Sequence, residues 1–164
     1  MKEINIQIGL AEILNEIGDT AYLTGKKSSQ TENGNGSETQ RVNDPVQSRK
    51  IRRALTYAFA DVRKLCSRYL ADGKHSDNNA TDIPQEGVWK LTLHMPDGWD
   101  ETVATSLTQN LHELLVNYAL YKLFLLTAPD ESEEKLMQAA LCREEAKGVL
   151  EQRKTPVRRP CNYF

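Results

Sequence analysis

The chain has 164 residues, 39% of them hydrophobic and 27% charged, with a formal net charge of −2. Its length is that of one domain, and the apolar fraction, below the globular average, predicts a modest core with some flexible polar length. The slight acidity gives no bulk attraction for nucleic acid, and three widely spaced cysteines (Cys66, Cys142, Cys161) fit neither a disulfide framework nor a paired-cysteine metal site, so they read as free thiols in a reducing compartment.

The opening stretch, MKEINIQIGLAEILNEIG, carries acidic residues throughout and lacks the apolar core and cleavage site of a signal peptide. Ile6, Leu10, Ile13, Leu14, Ile17, Tyr22 and Leu23 recur at helical spacing and predict a first helix over 5–24. Gly9 and Gly18 weaken it, and Gly25 is its expected stop. Residues 26–44 (KKSSQTENGNGSETQRVND) contain almost nothing apolar, which predicts a mobile polar loop or a segment ordered only by a partner. The glycines of NGNG are not followed by the Lys-Ser/Thr of a phosphate-binding loop.

A second helix is expected over 46–71, where Ile51, Leu55, Ala58, Val62, Leu65 and Tyr69 advance by three and four. Arg49, Lys50, Arg52, Arg53, Arg63, Lys64 and Arg68 cover the rest of its surface. Such a face is ordinarily just solvated; the sharper reading is contact with an acidic partner or DNA. After the turn-rich ADGKHSDNNATD the period changes to two, with Trp89, Leu91, Leu93 and Met95 alternating with Val88, Lys90, Thr92 and His94. That is a half-buried strand over 88–95. A lone strand needs a partner, and the stretch before Pro84 is the expected one, giving a small hairpin within an insertion at 76–98.

Asp100 is a good N-cap for a third helix over 100–127. Val103, Leu107, Leu111, Leu114, Tyr118, Tyr121 and Leu125 form one stripe, which Leu115, Leu120, Leu123, Phe124 and Leu126 widen nearly all round. A helix of that kind must be covered on several sides. It is therefore expected at the centre of a bundle, with Leu114 and Tyr118 buried among helices two, three and four, and with another subunit supplying part of the cover. It is no membrane span, because its densest apolar run is short of the ~20 residues a bilayer needs and includes Asn117 and Lys122. Pro129 restarts the chain as a fourth helix over 129–154, and Asp130, Glu131, Glu133 and Glu134 complement the dipole of its first turn. The short connection makes helices three and four antiparallel neighbours.

Residues 155–164 (TPVRRPCNYF) hold two prolines and are expected as an extended arm. The bland reading of this segment is a frayed chain end; on the sharper one, Arg158 and Arg159 would pair with carboxylates on a neighbouring subunit or another partner, and Tyr163 and Phe164 would fill apolar pockets there. The residues thus predict a mostly α protein: a four-helix bundle in a single domain over 1–154, with a small β-strand or hairpin insertion and an extended C-terminal arm. Candidate partner contacts are Arg52, Arg53, Arg158, Arg159, Tyr163 and Phe164.

No catalytic constellation, cofactor fingerprint or metal site is legible. His75, His94 and His112 fall in a loop, a strand and a helix, and His112-Glu113 fails the zinc-protease pattern because position 116 is Val.

The order of parts resembles a known family. A short N-terminal helix leads to AYLTGKK, a polar gap and RKIRRALTYAFADVRKLCSRYL; a strand with MPDGWD follows, then a long Leu/Tyr helix, Pro-Asp-Glu and a helix ending LEQRKTPVRRP. This resembles the small α-helical head–tail connector, or adaptor, proteins of tailed bacteriophages and prophages, chiefly over 45–71 and 99–155. The strand near 88–95 and the basic, proline-containing tail depart from the simplest members. The resemblance implies a non-enzymatic virion component, assembled in the host bacterial cytoplasm as a ring, commonly twelve-fold, that contacts portal and tail or tail-completion proteins and neither membrane nor specific nucleic-acid sequence. The alternative is a helical nucleic-acid-binding or regulatory protein using Arg49–Arg53 and Arg158-Arg159. An enzyme or small-ligand binder with its site in the bundle core is a third reading.

Overall fold

The computed structural model describes residues 1–31, 45–71, 87–125 and 127–154. In chain order the elements are strand β1 (Lys2–Gly9), helix α1 (Leu10–Thr31), helix α2 (Pro45–Leu65), strand β2 (Val88–Met95), a 3-10 turn (Glu101–Val103), helix α3 (Ala104–Phe124) and helix α4 (Pro129–Glu151). The architecture is the expected one: four helices with a small two-stranded antiparallel sheet.

The N-terminus departs from expectation. Residues 2–9 are a strand, and β1 is a partner of β2; the stretch before Pro84, the expected partner, lies outside the described residues. The register sets Ile4 opposite Leu93, Ile6 opposite Leu91 and Ile8 opposite Trp89. In KEINIQIG the three isoleucines alternate with polar residues, so period two applies there, and β-branched side chains favour the pleated surface. Gly9 therefore ends a strand instead of weakening a helix. The junction is held by Leu10 N–H donating to the Gly87 carbonyl at 2.7 Å. Gly87 has φ +68°, a left-handed conformation that glycine takes without strain.

Starting at Leu10, α1 runs through Gly25 to Thr31, so residues 26–31 of the expected loop are helical; 32–44 lie outside the described residues. Its phase is set by Ile13, Ile17 and Ala21, which are four apart and fully buried. Tyr22 and Leu23 are rotated off that face by ~100° and ~200°. They are exposed, at 59% and 60%, where the periodicity had placed them in the core.

Helix α2 ends at Leu65, short of the expected 71. The chain turns at residues 66–69 and runs along the other edge of β2: Ala71 N–H donates to the Thr92 carbonyl at 3.0 Å, and His94 N–H to that of Tyr69 at 2.6 Å. Strand β2 is thus flanked on both sides. Backbone pairing with the sheet outcompetes one more helical turn.

Helix α3 is the central element, packed against α1, α2, α4 and β1. Its buried residues include Leu107, Leu111, Leu115, Val116, Ala119 and Phe124. The cover of these side chains comes from within one chain. Leu114 is buried as expected, but Tyr118 is only half-buried and Leu125 is 46% exposed. Among the described residues no helix is long and apolar enough to cross a membrane.

One anchor ties the approach to α3 to the end of α4, and a local cap fixes the turn that follows. Trp99, 1% exposed, donates its indole N–H to the Val149 carbonyl at 2.9 Å. Asp100 Oδ1 accepts from the Thr102 hydroxyl at 2.8 Å and from Thr102 N–H at 3.1 Å, capping the 3-10 turn that leads into α3. These two hydrogen bonds hold the Asp100 carboxyl below its ordinary value. A folded-state value below the unfolded one contributes stability that is fully present above the unfolded value and is lost as pH falls through the folded one. Asp100→Ala is therefore expected to lower the unfolding midpoint at neutral pH and to differ less from the parent chain in strong acid. Thermal melts at both pH values check this; a pH-independent difference would remove the charged cap from the explanation.

Candidate functional site

The most chemically distinctive surface among the described residues is a groove between α2 and α3, of about 440 Å³. Lys50, Arg53, Ala54 and Tyr57 line it from α2, and Tyr118 and Lys122 from α3. The spacing explains the set. Positions 50, 53, 54 and 57 share one helical face, as do 118 and 122. Because the N-terminal part of α2 lies beside the C-terminal part of α3, Lys50 and Lys122 occupy one end of the groove, with Tyr57 and Tyr118 farther along.

Tyrosines flank two of the cations. Arg53 donates to the Tyr57 hydroxyl at 3.4 Å, and its guanidinium carbon lies 5.8 Å from the centre of that ring. That hydrogen bond raises the guanidinium further above its ordinary value, so Arg53 is charged at any accessible pH. The Lys122 ammonium lies 5.5 Å from the Tyr118 ring and 4.6 Å from the Tyr121 ring, and the two rings meet edge-on at 5.9 Å. Cation–π contacts at an exposed surface are individually weak. No carboxylate lines the groove, and Lys50, Arg53 and Lys122 form no ion pair with a described acidic residue. Three cations, two of them (Arg53 and Lys122) beside aromatic faces, make a receptor for an anionic ligand that also carries apolar surface.

A second groove, of about 260 Å³, shares Tyr118 and continues between Leu114 and Asp61 toward Leu136 and Ala140 of α4. The otherwise polar outer side of α4 carries exposed apolar side chains in mid-helix: Met137 is 68% exposed and Leu141 63%.

Of the residues singled out from sequence, Arg53 lies in the groove. Its neighbour Arg52 is exposed but points elsewhere, since adjacent helical positions differ by ~100°. Arg158, Arg159, Tyr163 and Phe164 lie outside the described residues. Sequence reasoning missed Tyr57, Tyr121 and Lys122 as site residues and assigned Tyr118 to the core. The legible signal was the i, i+4 spacing of Arg53 with Tyr57 and of Tyr118 with Lys122.

The other chemistry-bearing residues are dispersed. His112 Nε2 lies 2.9 Å from Glu16 and His94 Nε2 3.8 Å from Glu3, while His75 is outside the described residues. No cluster of three potential metal ligands occurs among the described residues. Burial pushes the Cys66 thiol up to about 12, and burial followed by the nearby Glu113 raises that of Cys142, so both favour the unreactive protonated form. Cys161 lies outside the described residues.

No protein-family model, curated protein or solved structure matches the chain.

Proposed function

We propose that the chain is a non-enzymatic virion component of a tailed bacteriophage or prophage, a ring-forming head–tail connector subunit between portal and tail. The order of parts supports this reading. The structural observation that carries it is that one subunit displays two unlike, unsatisfied surfaces: a cationic, tyrosine-lined groove and an exposed apolar stripe on α4. Unlike surfaces suit head-to-tail contacts, which form rings when the rotation between copies closes. The basic arm, with Arg158, Arg159, Tyr163 and Phe164, would then engage the portal or the adjacent subunit.

Sedimentation of the purified chain with and without its portal partner tests the reading. A discrete closed oligomer that attaches to the portal is expected, and deletion of residues 156–164 should keep the helicity but abolish attachment. A chain that stays monomeric at every concentration and ignores the portal overturns it.

The groove itself favours a second reading. Cations interleaved with tyrosines also suit a phosphate backbone with stacked bases. Nanomolar affinity for DNA that falls steeply with salt would decide for that reading.

A further inference from the structure

We infer that the α2–α3 groove receives the N-terminal half of α4 from a second copy of this chain, a contact that rests on the ring reading and names the surfaces that make it. On α4, Asp130, Glu134, Met137 and Leu141 follow one another by four, three and four, which puts them on one face. All four are exposed. Glu134 accepts a hydrogen bond from Gln138 Nε2 at 3.0 Å, and neither Asp130 nor Glu134 pairs with a described cation.

The stripe and the groove carry the same sequence of chemistries along their lengths. The stripe is acidic at its start and apolar after it, while the groove has its lysines at one end and tyrosines beyond. At 1.5 Å per residue, Asp130 to Met137 spans ~10 Å, as does Lys50 to Tyr57. Seating Asp130 and Glu134 over Lys50, Arg53 and Lys122 brings Met137 against Tyr57 and Tyr118, where a thioether packs favourably on aromatic rings.

A subunit cannot fill its own groove in this way. Its α4 already packs on α3 through the opposite face, using Ala139, Cys142, Ala146 and Leu150. Met137 and Leu141 line neither groove. The contact is therefore heterologous, with the stripe of each copy in the groove of the next, and it propagates around an axis.

Charge reversal on the full chain tests it, read by sedimentation velocity in low salt with circular dichroism as the check on folding. One variant carries Asp130→Lys with Glu134→Lys, the other Lys50→Glu with Lys122→Glu; all four positions are exposed or line the open groove, so helicity should be retained. Each variant alone places like charges at the contact and should associate at least about tenfold more weakly than the parent chain. A 1:1 mixture restores opposite charges at every contact, and assembly should return. Failure of the mixture overturns the pairing. Variants that assemble as the parent does overturn this contact while leaving the ring reading standing. A parent chain that is monomeric throughout, with and without the portal, overturns both. If Lys50→Glu with Lys122→Glu abolishes DNA binding but leaves assembly unchanged, the groove belongs to nucleic acid and the inference falls.

Discussion

Replacing both Ile6 and Ile8 by alanine is expected to leave the chain largely unfolded at room temperature. Each side chain is 2% exposed and sits opposite another buried residue of the sheet, Leu91 and Trp89 respectively. A buried Ile→Ala change typically costs about 2–5 kcal/mol. Two such losses rival the ~5–15 kcal/mol that holds a typical domain together. Urea titration followed by circular dichroism measures the effect. The single change Ile8→Ala separates strand from helix at the N-terminus, because the helical reading put Ile6 on the core stripe and left Ile8 off it. An unchanged midpoint for Ile8→Ala would remove β1 from the core.

Phe59→Ala is expected to cost about 3–5 kcal/mol, with an unchanged denaturant slope. Phe59 joins α2 to the sheet: its ring stacks on Trp89 at 4.9 Å between centroids and 20° between planes, and the two residues are each 1% exposed. Truncation removes that stack and opens a cavity, and the fluorescence of Trp89 should shift as its surroundings become more polar. Tyr57, two residues earlier on the same helix but 54% exposed, supplies the control. Tyr57→Ala should move stability by no more than about 1 kcal/mol. Equal effects at the two positions would mean that α2 is rotated from the placement described.

Local signals in the chain carried most of the helical layout. Pro129 with its acidic first turn set the start of α4, Asp100 capped the approach to α3, and the three-and-four spacing from Ile51 to Val62 marked the buried face of α2. The period-two run at Val88 was equally plain. Each of these rests on interactions within a few residues, so sequence spacing suffices to reveal it.

The N-terminus was ambiguous because Ile6, Leu10, Ile13 and Ile17 satisfy a helical period while Ile4, Ile6 and Ile8 satisfy a period of two. Short apolar runs do not separate the two by periodicity.

What the amino-acid sequence determined by itself was the fold class, the central position of α3 and the restart at Pro129, because helix periodicity, caps and proline geometry act locally. Tertiary structure alone decided that residues 2–9 are a strand, since a two-stranded ribbon gains little until its apolar face is covered, and here Ile8 must find Trp89 across the chain. It also decided which cations share a groove. Lys50 and Lys122 line one groove only because α2 and α3 pack side by side, and the rotation of each helix about its own axis is set by the core that both of them cover.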